Sequence, residues 1–465
     1  MTAVNAGQRL DALPIGRFHR RIMILVGLGI FFDAFDNTLS GSVLVSMAAS
    51  GFSTLELNSI FLSATFIGLA IGAAFAGWLS DRFGRSFSFQ FNLALFGILA
   101  LCSALAPSMH WLIGLRAVMG VGMGAEYVMC YGLIIEFMPP SHRGRYLGML
   151  GVFGGLGVSI TSLMGMFVIP ALGWRAMFVI GGIGTLVVWW LRRSLPESPR
   201  WLESMGRTDE AEAVLQKIEH EAGVRPGSAA AKAARPAATP NAAPAKEWVP
   251  TTVLFSRPVI RRTLLAMVLN VTCLFGSYSI TGWMPTFFVS QGMTVTRSLG
   301  FNAAIMAGYV AGPLLCVLLG DRIGRRWGIV MFGALCAVFG AIYPFLTSPP
   351  LVIACGFLLV AAVASFLTLG LGTTPELFPT EYRFRGGGLA QTAGRIGLIL
   401  SPFIVLGLLN RYGIVGVIGA ISGMYLVVTL LMIVAGVDTN RQSLEDLGPA
   451  EEEPDRPRAY AAPAA

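Results

Sequence analysis

Long apolar runs separated by short polar segments set the pattern of this chain. Each run has about 20 residues or more, the length that a helix needs to cross the hydrocarbon core of a bilayer. The runs lack the alternation of a membrane β-barrel, and only helices or closed barrels satisfy their backbone hydrogen bonds in lipid. The pattern therefore predicts an all-α membrane protein with twelve transmembrane helices, at residues 22–50, 57–79, 88–106, 110–138, 145–170, 174–192, 262–290, 298–319, 327–347, 350–376, 385–409 and 413–436.

Basic residues lie on one side of this predicted topology. Arginines precede the first span and follow the second, fourth, eighth and tenth spans, while the opposite loops hold only Arg175, Arg297 and Arg411. Cytoplasmic loops of membrane proteins carry such an excess of basic residues. Both termini and the central loop, to which Arg192 is assigned as the first basic residue, are therefore expected on the cytoplasmic side of a bacterial inner membrane.

Composition agrees with a chain whose main partner is the lipid bilayer. Charged residues make up 12% of the chain, about half of their share in soluble domains. The net charge of +8 does not indicate nucleic-acid binding, because the basic residues are spread over short loops. The six cysteines stand singly and without metal-ligand spacing, and no nucleophile–base cluster occurs. We therefore expect no metal, no cofactor and no enzymatic activity, and we expect the chain to function as a monomer.

Two stretches of sequence recur at one spacing. Residues 81–85 (DRFGR) reappear at 321–325 (DRIGR), and the pattern of 136–145 reappears at 376–385, each at an offset of 240 (321 − 81 and 376 − 136). Such a repeat predicts two pseudo-symmetric six-helix bundles. The expected organisation is a cytoplasmic N-terminal segment (1–21), a first bundle (22–192), a cytoplasmic central loop with a short helix and a disordered linker (193–261), a second bundle (262–436) and a cytoplasmic tail (437–465).

The stretch from Gly77 to Arg85 resembles the signature loop of the major facilitator superfamily. Its glycines allow a tight turn against a neighbouring helix, and Asp81 can meet a helix N-terminus or an arginine there. The resemblance implies the fold of that superfamily and a loop that holds one state and releases it on switching. The gating residues implied in the two halves are Gly77, Asp81, Arg82, Gly84, Arg85, Glu136, Arg143, Asp321, Arg322, Gly324, Arg325, Glu376 and Arg383.

Shorter motifs resemble different branches of that superfamily. Residues 196–202 (PESPRWL) and, loosely, 436–438 with 444–446 are similar to sugar-porter signatures. The seventh span, however, reads NVTCLFG at 270–276 and lacks the paired glutamines and serine-glycine with which sugar porters hold a hexose. Closer is the branch of proton symporters for organic and aromatic acids, including nicotinate-type permeases, which the chain resembles at 33–36 (DAFD), from Arg116 to Glu126, and at 374–380 (TPELFPT).

Charged side chains in the first bundle predict a proton-binding site. Each one costs at least about 2.5–3.5 kcal/mol in the membrane on insertion scales and therefore needs a reason. Asp36 and Arg116 lie at similar depth on helices that line the cavity of the resembled fold, so we expect them to pair. Together with Asp33, two carboxylates and one arginine in a poorly hydrated cavity would not all stay ionised. Glu126 is an alternative position for the proton, and a fixed salt bridge that only packs helices is the structural alternative.

In the second bundle, Arg395 is the basic residue at mid-depth, and its counterpart in the first bundle is Gly155. A guanidinium that faces a cavity can bind a carboxylate through two hydrogen bonds. Arg395, with Gln391 one turn earlier, is therefore the predicted anion site; the alternative is a hydrogen bond from Arg395 to a backbone carbonyl of a neighbouring helix. The aromatic residues that could stack on a flat solute, or equally pack or face lipid, are Tyr127, Tyr131, Tyr278, Trp283 and Phe366.

These residues together favour a secondary active transporter that takes up a small organic anion, such as an aromatic or heteroaromatic carboxylate, with protons by alternating access. The stretch 196–202 keeps a sugar or polyol symporter as the alternative. An exporter of drugs or metabolites ranks lower, because the fifth span lacks the Gly-Pro pair of many drug:proton antiporters.

Overall fold

The computed structural model describes residues 5–222, 251–378 and 383–435, which are helical nearly throughout. Eleven helices in these ranges are long and apolar enough to cross a membrane. The last of them, Arg383–Ala435, contains the non-helical residue Gly413, which divides it in two. The predicted twelve-span, all-helical fold is confirmed. The predicted linker, the loose motif at 436–446 and the tail lie outside the described residues.

Most helices extend a few residues beyond the predicted apolar runs, because polar end residues continue the backbone hydrogen bonds until a cap stops them. The Thr54 side chain accepts from the N–H of Leu57 and starts the second span, and Ser108 does the same for Trp111 and the fourth. The spans are Arg17–Ala49, Leu55–Phe83, Arg85–Ala104, Met109–Phe137, Pro140–Leu172, Trp174–Arg192, Arg257–Ser290, Val295–Met306 continued by Gly308–Ile323, Arg325–Ile342, Pro349–Thr373 and the two parts of Arg383–Ala435.

Glycines with positive φ separate equivalent spans of the two halves. Gly84 (φ 93°) lies between the second and third spans and Gly324 (φ 77°) between the eighth and ninth. Gly173 (φ 78°) and Gly413 (φ 63°) likewise separate the fifth from the sixth and the eleventh from the twelfth. Both pairs are 240 residues apart (324 − 84 and 413 − 173). Because residues with a Cβ rarely adopt this conformation, the backbone repeats at the offset of the sequence motifs.

Three short helices lie together at one end of the spans. Asn5 and Ala6 donate their N–H groups to the carboxylate of Glu203 at 2.8 and 2.9 Å. Arg9 donates to Glu212 and to Glu219, and its hydrogen bond holds the pKa of Glu212 below its usual value. The short helix predicted in the central loop is two helices broken at Gly206 (φ 74°). The three helices are Ala6–Asp11, Pro199–Ser204 and Thr208–Glu221. We call the end of the spans at which they lie the terminal end, and the opposite end of the spans the far end.

The first six spans pack chiefly on one another, as do the last six, and the halves meet in a central cleft. Serine hydroxyls join the halves in the part of the cleft that lies toward the far end. Ser63 Oγ donates to the carbonyl of Ile399 (2.8 Å). Two further pairs of this kind are Ser159 with the carbonyl of Met306 (2.9 Å) and Ser59 with that of Pro402 (3.4 Å).

The face of the eleventh span that contacts the second span through Ile399 and Pro402 is uncovered toward the terminal end. Ile399 and Pro402 contact the second span, but one to three turns earlier Arg395 is only half-buried, and Gln391 and Gly388 are exposed. The cleft between the halves is therefore closed at the far end and open at the terminal end.

Candidate functional site

Asp36 of the first span and Arg116 of the fourth form a buried ion pair. The guanidinium carbon of Arg116 lies 4.9 Å from the centre of the Phe61 ring and 5.1 Å from that of Phe178. Such ring contacts are favourable for a desolvated cation. The pairing expected from the depth of the two residues is present, and it ties the second and sixth spans to the same guanidinium through the phenylalanines.

Glu126 pairs with Arg192, which corrects the assignment of Arg192 to the central loop. Arg192 is the last residue of the sixth span and is fully buried. It donates to Glu126 and to the backbone carbonyls of Leu25 (2.8 Å) and Val26 (3.0 Å). A Cβ at Gly29 would collide with this pair, so a glycine there makes room for it. The sequence signal was Glu126 itself, because a buried carboxylate needs a partner.

Asp33 is the third buried acid of this half. It lies within electrostatic range of Glu126 and Asp36, yet no ion pair joins it to any side chain that the structure describes. Its Oδ1 is buried and has no hydrogen-bond partner among the described residues. Both buried arginines of the half are thus paired to other acids, and among the described side chains Asp33 has no counter-ion.

Arg395 lies on the eleventh span, in the other half of the protein from Asp33. Its Nη1 donates to the backbone carbonyl of Leu69 at 3.1 Å, the contact expected for the alternative structural role. Among the side chains that the structure describes, no carboxylate lies within ion-pair distance of Arg395. Two tyrosines, Tyr127 of the fourth span and Tyr278 of the seventh, lie within electrostatic range of both Asp33 and Arg395. The two charges therefore face one tyrosine cluster from the two halves.

The aromatic residues fall into two groups. Tyr127 and Tyr131 are half-buried, with their hydroxyls 3.4 Å and their ring centres 4.9 Å apart, and Tyr278 packs edge-on against Phe66. Trp283 and Phe366 instead lie in the apolar core of the protein, and Phe366 packs edge-on against Tyr425. In this conformation these two residues follow the packing alternative, and their stacking on a solute stays a prediction.

The predicted gating residues of the first half are joined at the terminal end. Arg85 Nε donates to Glu136 (3.1 Å), and the carboxylate of Glu197 accepts from the N–H groups of Arg85 (2.8 Å) and Ser86 (3.1 Å) at the start of the third span. Glu197 of the stretch 196–202 is therefore a helix cap. Arg143 and Arg200 both donate to Asp11, at 2.8 and 2.7 Å.

Two of the remaining predicted gating residues, Arg82 and Arg325, have exposed side chains. Arg82 is exposed beside the rings of Trp78 and Phe83, and Arg325 is exposed after Gly324. The side-chain surroundings of Gly77, Asp81, Asp321, Arg322, Glu376 and Arg383 lie outside the described part of the structure.

Comparison with known proteins gives one consistent result. The family described as "Sugar (and other) transporter" matches residues 27–450. The inner membrane metabolite transport protein YdjE of Escherichia coli (strain K12) is 34% identical over 95% of this chain and 98% of its own length. The niacin transporter NiaP of Acinetobacter baylyi is 31% identical over 95% of this chain and 99% of its own.

Among solved structures, the inward-open conformation of the xylose transporter XylE from E. coli has a TM-score of 0.74 and 19% sequence identity. The match covers 92% of this chain and 99% of that one, and it shows the shared fold. The expectations of a major facilitator fold and of a transporter rather than an enzyme are confirmed. The chain belongs to the sugar (and other) transporter family of the major facilitator superfamily and is a multi-pass membrane transporter.

Proposed function

We propose that the protein takes up a small organic anion, such as an aromatic or heteroaromatic carboxylate, together with protons by alternating access. The observation that carries the proposal is Arg395, a half-buried guanidinium that faces the open cleft without a carboxylate partner among the described side chains. A half-buried guanidinium without a counter-ion is costly, and a bound anion would offset that cost. The solute carboxylate would be that anion.

The surroundings of Arg395 suit a flat anionic solute. The bond to the Leu69 carbonyl uses one of the five N–H donors of the guanidinium. A carboxylate can therefore still receive two parallel hydrogen bonds. Gln391, exposed one turn toward the open end, adds a polar group on the path between the site and the cytoplasm. Tyr127, Tyr131 and Tyr278 supply ring faces and hydroxyls on the opposite side.

The proton side of the proposal rests on the acids of the first half. Asp33, Asp36 and Glu126 are buried together with Arg116 and Arg192. Three carboxylates and two guanidiniums leave one negative charge without compensation in a medium where charge is expensive. Uptake of one proton removes that imbalance, so the group is suited to carry a proton with the solute.

The excess of arginines in the loops at the terminal end favours a cytoplasmic position for that end. The described conformation is then inward-facing, with a cleft that opens to the cytoplasm and is closed outside by the serine contacts. The network of Arg85, Glu136 and Glu197 would lock against the second half in the outward-facing state. We place the protein in a bacterial cytoplasmic membrane as a monomer, with both termini inside.

The names of relatives favour the same solute class. The relative from A. baylyi is a niacin transporter, and niacin is a pyridine carboxylic acid. A relative from Pseudomonas putida, 28% identical, is a gallate transporter, and gallate is a benzene carboxylate. The solved neighbours transport xylose, but the seventh span at 270–276 lacks the amides that the sugar porters use.

Counterflow into proteoliposomes tests the proposal. Vesicles that hold the purified protein are loaded in turn with unlabelled aromatic carboxylates, aliphatic carboxylates, pentoses and hexoses, and uptake of the labelled form is measured. We expect exchange of at least one carboxylate and its accumulation when only an inward proton gradient is imposed. Exchange of a neutral sugar without any carboxylate would replace the proposal with the sugar or polyol alternative.

A further inference from the structure

We infer that Asp33 alone carries the coupling proton, and that this proton is linked across the cleft to the anion at Arg395. The inference rests on the proposed function and narrows its proton site from several acids to one. It also separates the two aspartates, which the sequence motif presents as a pair.

The first step is the pairing of charges. Arg116 binds Asp36 and Arg192 binds Glu126, both in buried ion pairs. Protonating either acid would leave a buried guanidinium without its partner, which is strongly unfavourable. Protonating Asp33 breaks no pair, because no described side chain forms one with it. The proton therefore costs least on Asp33.

The second step is the set of charged and titratable groups that face Asp33. Its own helix contributes Asp36, and the fourth span contributes Glu126 and Tyr127. The seventh span contributes Tyr278. Arg395 of the eleventh span is connected to Asp33 only through Tyr127 and Tyr278, which lie within electrostatic range of both charges. The carboxylates of Asp36 and Glu126 are already paired with arginines. Arg395 is thus the one charge in this group whose balance changes when a solute binds.

The third step follows from electrostatics across the cleft. With the cleft empty, the positive charge of Arg395 favours the ionised form of Asp33. A carboxylate bound to Arg395 cancels that charge at the tyrosines between Arg395 and Asp33, so it favours the protonated form of Asp33. By linkage, a proton on Asp33 must favour the anion by the same factor. Solute and proton then bind together, as symport requires, without any movement of the Asp36–Arg116 pair.

Infrared titration of the purified, lipid-reconstituted protein without any solute tests the inference. The signal is the C=O stretching band of a protonated carboxylic acid, followed from acidic to alkaline pH. We expect a band in the wild type that disappears with rising pH and is missing in Asp33→Asn. The matched variants Glu126→Gln and Asp36→Asn should keep it. If Asp36→Asn does not fold, the double variant Asp36→Asn/Arg116→Gln replaces it.

The same titration tests the link to Arg395. Arg395→Ala should move the midpoint of the band upward by about one pH unit, which corresponds to ~1.4 kcal/mol of lost interaction, whereas Arg395→Lys should leave it nearly in place. A band that persists in Asp33→Asn, no titrating band in the wild type, or a midpoint indifferent to Arg395→Ala each overturns the inference. A failure of the proposed function appears separately, as a missing carboxylate exchange in the counterflow assay.

Discussion

The carboxylate of Asp36 and the guanidinium of Arg116 meet in the interior of the first half, between the first and fourth spans, with the rings of Phe61 and Phe178 on the guanidinium. Neither charged group is accessible to solvent in this conformation. A pair so enclosed acts first on stability, because removing one member leaves the other buried without compensation.

Asp36→Asn should therefore lower the free energy of unfolding by roughly 3–5 kcal/mol, the usual effect of breaking a buried pair. Replacing both members with apolar residues, in Asp36→Leu/Arg116→Met, should restore part of the loss. Thermal unfolding of the purified proteins in one detergent measures both. If the double variant is less stable than Asp36→Asn, the pair does more than neutralise charge.

Arg192 offers a second test with a control in the next residue. Arg192→Gln leaves Glu126 buried without its cation, so we expect a loss of the same order, roughly 3–5 kcal/mol. Arg193→Gln removes an exposed arginine that lies 4.1 Å from the centre of the Trp189 ring, and it should change stability little. Equal unfolding temperatures for the two variants would show that Arg192 is solvated, as the sequence suggested.

Substitution of Arg395 tests the anion site by equilibrium binding of whichever carboxylate the counterflow panel identifies. Arg395→Ala should lose about 2–5 kcal/mol of binding free energy, as other buried charge pairs do. Arg395→Lys keeps the positive charge but loses the planar guanidinium that can donate two parallel hydrogen bonds, so the affinity for the carboxylate should fall by less than in Arg395→Ala. Wild-type affinity in a correctly folded Ala variant would mean that the guanidinium serves only the carbonyl of Leu69.

Gly173→Ala and Gly413→Ala test the repeated backbone geometry. No atom lies within 4 Å of a Cβ built at either position, so the strain comes from the backbone alone. With ψ of 169° and −160° beside their positive φ, both lie in a region that only glycine populates. Each should cost about 1–3 kcal/mol. Gly144→Ala, equally uncrowded but helical, should be neutral or slightly stabilising.

The spans and the repeat could be predicted from the sequence because each depends on local properties. Apolar length fixes the number of spans. The gap between the last two apolar runs, at 409–413, coincides with the non-helical residue Gly413 that divides the last helix. The pairing of Asp36 with Arg116 was also accessible, since both lie near mid-span, where counting residues along a helix gives depth reliably.

Counting basic residues as loop residues misassigned Arg192, because a residue at the end of a span can turn inward or outward and only the neighbouring helices decide. For Trp283 and Phe366 the sequence left stacking and packing open, and in this conformation both residues are packed. Aromatic residues that pack and aromatic residues that line a cavity have the same local sequence signal. The hydrogen bond from Arg395 to the carbonyl of Leu69 joins residues 326 positions apart. No pattern in either span indicates which carbonyl would accept it.

In the alternating-access cycle that we propose, the serine hydroxyls that join the halves at the far end have to release their acceptors. A serine inside a helix can return its hydrogen bond to the carbonyl four residues earlier, and Ser59 already shares its proton with Leu55 at 3.0 Å. When the halves part, no donor is left without an acceptor. Each bond is worth only about 0.5–1.5 kcal/mol, so these three hydrogen bonds would add little to the free energy needed to open the far end.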